Sequence, residues 1–142
     1  MSQIQSSNWS ETAASNNATS PNGFPEAMPA AGYNDSAREM MSAVKIWYNR
    51  ISATAIATGS ADALVLTYGT SPGAYASGMH FRFYKNASDN TGAVTLNVNA
   101  LGAVAVVRRN GSTALSAADM VSGALYEVTH DGTSFRLHQT GI

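Results

Sequence analysis

Two hydrophobic periods divide the chain. Between residues 34 and 51, Ala37, Met40, Val44, Trp47 and Ile51 follow one another at +3, +4, +3, +4, which sets all five on one helix face, and Met41 and Tyr48 widen that face on one side. Asn34 or Asp35 is placed to cap the first turn, Glu39 adds negative charge early in the helix, and Arg50 adds positive charge in its last turn. Two heptads fall short of the three or four that mark a coiled coil, so the spacing also fits a helix packed on a sheet. The polar segment before the helix offers it no obvious partner, and self-association through this face is the expectation.

Beyond residue 61 the period changes from 3.6 to 2. Met79, Phe81 and Phe83 alternate with His80, Arg82 and Tyr84, and Val94, Leu96 and Val98 alternate with Thr95 and Asn97, each the signature of a strand with one buried face. Ala63 to Tyr68 is rich in β-formers, and Ala103 to Val107 is a continuous apolar run ending at Arg108 and Arg109. Asn110-Gly111 and Asp131-Gly132 are strong turn signals, and the second predicts a hairpin between Tyr126–Val128 and Phe135–Leu137. The whole reads as a mainly β fold, a small antiparallel sandwich or barrel preceded by an extended arm and one amphipathic helix. Its segments are an arm over residues 1–33, the helix over 34–51, a connector or weak first strand over 52–61, and the β domain over 62–142.

Composition adds an expectation about assembly. The chain has 142 residues, of which 17 are Ser, 12 Thr, 11 Asn, 12 Gly and 24 Ala, against only six Tyr, four Phe and two Trp. Small side chains bury little apolar area per residue ordered, so a multimer is the natural way to add buried surface. The formal net charge of -1 provides no basic field for nucleic acid and little repulsion between copies. Cysteine is absent, which excludes disulfides and thiolate metal sites. No apolar run is long enough to span a membrane, and Met1 to Ser10 has neither the basic region nor the apolar run of a Sec-type leader. In the arm, Pro21, Pro25 and Pro29 favour extended backbone, while Ile4, Trp9, Phe24 and Met28 are apolar pegs suited to another surface.

Candidate chemistry is sparse. His80, His130 and His138 form no metal-ligand motif, although His130 and His138 share the predicted hairpin and are expected to be able to approach each other. No nucleophile elbow, phosphate loop or paired-carboxylate pattern stands out, so neither catalytic residues, cofactor nor metal are expected, and the chain reads as a non-enzyme. Arg108 and Arg109 read as a soluble strand end more readily than as a phosphate site. Tyr68, Tyr75, Tyr84 and Tyr126 are candidates for stacking on a glycan or anchoring a protein partner.

The segment from Pro25 to Tyr48 resembles a motif near the N-terminus of tailed-bacteriophage tail-fibre and related virion structural proteins. Pro25, Glu26, Met28 and Pro29 match its turn, Asn34, Asp35, Ser36, Ala37, Arg38, Glu39, Met40 and Met41 match its helix start, and Trp47 and Tyr48 match the helix end. Asn8-Trp9-Ser10 fits the same neighbourhood, and the segments Asn90 to Val98 and Gly123 to Phe135 look like the β-rich part that often follows. The resemblance implies a virion structural protein, assembled in the host cytoplasm, that docks on the tail, collar or head through its N-terminal arm. Trp9, Phe24, Pro25 and Met28 are the docking candidates. Fibre analogy also implies a homotrimer, with Ala37, Met40, Met41, Val44, Trp47, Tyr48 and Ile51 at the interface. A host-glycan adhesin and a capsid-decoration or fibre-adaptor protein are the alternatives; nucleic acid and membrane insertion are not expected.

Overall fold

The computed structural model describes residues 10, 12–52 and 55–138. The chain forms two compact units, Met1–Tyr48 and Asn49–Ile142.

In the first unit, a short 3-10 turn (Ala13–Ser15) and a looped segment lead to the long helix α1 (Ala30–Ile51), whose last residues belong to the second unit. The helix starts four residues before the position predicted from Asn34. The Tyr33 amide donates to the Pro29 carbonyl at 3.1 Å, and a proline fits at a helix start because its missing N–H would have no partner there. Asn34 and Asp35 therefore lie inside the helix and do not cap it. The described residues before the helix are folded back rather than extended. Ser36 Oγ donates to the Gly23 carbonyl at 2.6 Å, Ser20 Oγ donates to the Gly32 carbonyl at 2.9 Å, and the Phe24 amide donates to the Asn16 carbonyl at 2.9 Å. Glycine is required at position 23, since a Cβ there would lie 2.7 Å from both the Asn16 oxygen and the Ala18 nitrogen.

The helix has two unlike faces. Ser36, Ala43 and Arg50, seven residues apart, are buried, and Gly32, Glu39 and Ile46 beside them are half-buried. The covered stripe is thus made mostly of small or polar residues. Ile46 apart, the larger apolar side chains Met40, Met41, Val44, Trp47 and Tyr48 lie outside that stripe and are exposed.

The second unit is a closed barrel of seven strands: β1 (Ala55–Gly59), β2 (Ala63–Leu66), β3 (His80–Lys85), β4 (Val94–Val98), β5 (Ala103–Val107), β6 (Leu125–His130) and β7 (Phe135–Leu137). Around the barrel they run β1-β2-β4-β5-β7-β6-β3. The mainly β barrel expected from the alternation is present, and closure removes the sheet edges that so short a set of strands would otherwise expose. Its ladders are mixed. The β1–β2, β4–β5, β6–β7 and β3–β6 pairs are antiparallel, but β1–β3, β2–β4 and β5–β7 are parallel, which corrects the all-antiparallel expectation. Alternation fixes which face of a strand is buried and carries no information on the direction of its neighbour.

Phe81 and Phe83, Leu64 and Leu66, Val94, Leu96 and Val98, Tyr126 and Val128, and Phe135 and Leu137 alternate into one core. Leu115 and Met120 join it from the loop between β5 and β6. Asn90 holds that loop: its side-chain amide donates to the Gly92 and Ser116 carbonyls and its Oδ1 accepts the Met120 amide. The hairpin predicted at Asp131-Gly132 is present, with His130 opposite Phe135, and Asp131 Oδ1 accepts the Thr133 and Ser134 amides. Lys85 is fully buried at the end of β3 and donates its ammonium to the Ser88 carbonyl. Burial lowers its pKa, opposed by the carboxylates of Asp89 and Asp62.

Candidate functional site

Two surfaces have chemistry to offer. The first is the outer face of α1. Met40, Met41, Val44, Lys45, Trp47 and Tyr48 line an open apolar hollow, with Met41 70% exposed, Tyr48 50% and Trp47 46%. Lys45 lies over the Tyr48 ring at 4.8 Å, a cation–π contact. Ala37 and Ile51, at the ends of the same row, are half-buried. An uninterrupted apolar row of this kind on a helix is a contact surface more often than a solvated one.

Among the docking candidates, Trp9 lies outside the described residues. Phe24 is exposed and meets Tyr33 edge to face at 5.5 Å, while Pro25 and Met28 are half-buried. The four tyrosines separate. Tyr126 is buried, and its hydroxyl accepts the Val121 amide at 2.6 Å. Tyr75 donates its hydroxyl hydrogen to the Gly102 carbonyl at 2.8 Å, accepts the Val98 amide, and stacks on His130. Tyr68 packs on Phe81, and burial raises its phenol pKa, opposed by Arg50. Only Tyr84 presents its ring outward, at 41% exposure.

The second surface is the outside of β3, β6 and β7. Strand register lines up His80, Thr129 and Arg136 in one row and Arg82 with Glu127 in the next. Glu127 Oε1 lies 2.8 Å from His80 Nε2, His80 Nδ1 lies 3.0 Å from Thr129 Oγ1, and Thr129 Oγ1 lies 2.7 Å from His138 Nε2. The carboxylate assigns the tautomer: His80 donates from Nε2 to Glu127 and accepts the Thr129 hydroxyl at Nδ1. His138 then donates to the Thr129 oxygen, and the two imidazoles meet at 5.5 Å. Carboxylate, imidazole and hydroxyl follow one another as in a nucleophile triad. However, β6 is bordered by a ladder on each side, so the backbone amides beside Thr129 are engaged and do not form an oxyanion hole. The arrangement holds protons and fixes side chains.

His130 does not approach His138. It points inward from β6, buried between Tyr75 and Phe135, with Nδ1 accepting the Gly132 amide at 3.2 Å. Adjacent positions on a strand face opposite sides, and that parity separates the two rings. Arg108 is tied to Asp119 by two nitrogens, at 2.8 and 3.0 Å, and serves the loop rather than a ligand. The His80–Glu127–Thr129–His138 chain does not stand out in the sequence. Its only signal is that all four fall on outward positions, and only the pairing of β3, β6 and β7 brings them together.

Burial holds the His80 imidazole below the usual histidine range, aided by His138 and Arg82 and opposed by Glu127. The unfolded chain therefore takes up this proton more readily than the folded one. Stability linked to His80 is complete above about pH 6.5 and declines as pH falls below it. Urea unfolding of His80→Gln is expected to show a flatter stability slope than the unmutated chain between about pH 6.5 and 5. A steeper slope in the variant would contradict this assignment.

Among the described residues, no group of three or more His, Asp or Glu is placed to hold a metal ion, and no helix is long and apolar enough to cross a membrane. Comparison with protein-family models and with curated proteins finds no match to this chain.

Proposed function

We propose that this chain is a structural component of a tailed-bacteriophage particle, a short fibre or fibre-like protein that assembles as a homotrimer through α1, docks on the tail or head through its N-terminal segment, and displays the β barrel. The observation that carries the reading is the apolar row on the exposed side of α1. A helix that covers mostly small or polar residues leaves Met40, Met41, Val44, Trp47 and Tyr48 uncovered by the described residues, an apolar surface suited to a partner. A second and third copy of the same helix supply a complementary apolar surface, as symmetric association requires. The resemblance over residues 25–50 supports the particle context, and it places the docking candidates Phe24, Pro25 and Met28 immediately before the helix.

Docking is tested by removing residues 1–24 and following the chain into assembled particles. The expected result is a barrel that stays folded, with unchanged cooperative unfolding, and a chain that no longer enters particles. Incorporation at the level of the intact chain would overturn the docking role.

A further inference from the structure

Arg82 sits directly across the β3–β6 ladder from Glu127, the position from which a cross-strand ion pair is expected. That pair does not form, because the Glu127 carboxylate turns to His80 at 2.8 Å. The neighbouring acid of this face, Asp131, is taken by Arg136 at 2.7 Å. Arg82 is left with no ion-pair partner among the described residues, and its Nε is shielded from solvent without a hydrogen-bond acceptor. The shielded Nε is out of a ligand's reach, but the two terminal nitrogens also carry no partner among the described residues and can meet a carboxylate end-on, through two parallel hydrogen bonds.

Its surroundings narrow the ligand. Tyr84, two residues further along β3 on the same face, offers an exposed ring about 7 Å away, roughly the span of one sugar residue. Leu125 and Ile56 are the register neighbours of Tyr84 and make an apolar floor beside it. On the other side of Arg82, the half-exposed His80–Glu127 pair and the Thr129–His138 link offer acceptors and donors to hydroxyl groups. A cationic fork, a flat aromatic ring and a bed of polar groups together suit a sugar bearing a carboxylate better than a nucleic-acid backbone, which would require several cations.

We propose that the outer face of β3, β6 and β7 binds a carboxylated saccharide, with Arg82 holding the carboxylate and Tyr84 carrying the sugar ring. The site lies wholly on the barrel and stands independently of trimer formation or particle membership.

The test is calorimetric titration of the full-length protein with a galacturonate oligosaccharide, its methyl-esterified neutral counterpart, and an oligoglutamate of equal charge. The expected result is binding of the acid form in the millimolar range or tighter, weakened about tenfold by Arg82→Gln and several-fold by Tyr84→Ala, with little binding of the ester. Arg82→Lys keeps the charge but loses the fork, and binding intermediate between the unmutated chain and Arg82→Gln is expected. It also serves as the reading should Arg82→Gln fail to fold. Absence of binding by the unmutated chain, equal binding of acid and ester, or indifference to Arg82→Gln and Arg82→Lys would overturn the site. Tighter binding of oligoglutamate than of the sugar would overturn the saccharide assignment in favour of an acidic protein partner.

Discussion

Replacing Val44 and Trp47 together by alanine is expected to turn an assembled protein into a monomer while leaving the fold of each chain intact. The two side chains are one helix turn apart on the same face, 46% exposed in each case. In a single chain their truncation removes little packing, and its cost should stay within about 0.5 kcal/mol. In a bundle the same side chains are buried against neighbouring copies, and each loses about 2 to 5 kcal/mol of packing, with valine at or below the lower end. Because every copy carries the change, the loss is repeated at each interface. Light scattering should therefore report a loss of mass at protein concentrations where the unmutated chain remains assembled, with barrel unfolding unchanged once monomers are compared. Retained mass and an unchanged unfolding midpoint would show that the row is not an interface. Retained mass with lowered stability would show that the two side chains serve packing within one chain.

The second large effect belongs to the barrel. Phe81→Ala is expected to cost about 3 to 5 kcal/mol, a large share of the 5 to 15 kcal/mol that stabilises an ordinary domain. Phe81 is fully buried, with Tyr68 and Phe135 both at ring separations of 5.9 Å, so its removal leaves a void between β3, β7 and the segment after β2 that cannot readily close. The contrast is Ile56→Ala on the outer face, where Ile56 is 56% exposed and a change within about 0.5 kcal/mol is expected. Urea midpoints of the two variants measure both. A Phe81 effect as small as that of Ile56 would contradict the inward assignment of the alternating residues.

That alternation is what made the barrel legible. Phe81 and Phe83, Leu96 and Val98, and Tyr126 and Val128 each announce a buried face through their spacing alone. β1 is faint because Ala55, Ala57 and Gly59 are too small to show a period, although Ala57 is fully buried. The parallel ladders were hidden because partner direction is decided by the path of the intervening loops. At the helix start, Asn34 and Asp35 are strong capping residues by type, and the chain instead begins its helix just after Pro29, where a fixed φ already suits the first turn. The apolar row on α1 was fully legible as a row. Which face the chain itself covers was not, because the mostly small or polar stripe Gly32–Ser36–Glu39–Ala43–Ile46–Arg50 does not look like a covered face in sequence. Arg82 was invisible for another reason: its isolation comes from Glu127 choosing His80, a choice between two cross-strand neighbours that only side-chain positions reveal.

The most direct test of the account is the mass of the purified chain in solution, measured by light scattering at two concentrations. Assembly through α1 predicts a stable trimer, three times 14.8 kDa or about 44 kDa, at both. A monomer of 14.8 kDa at both concentrations would contradict it, breaking the connection between the exposed row of α1 and assembly.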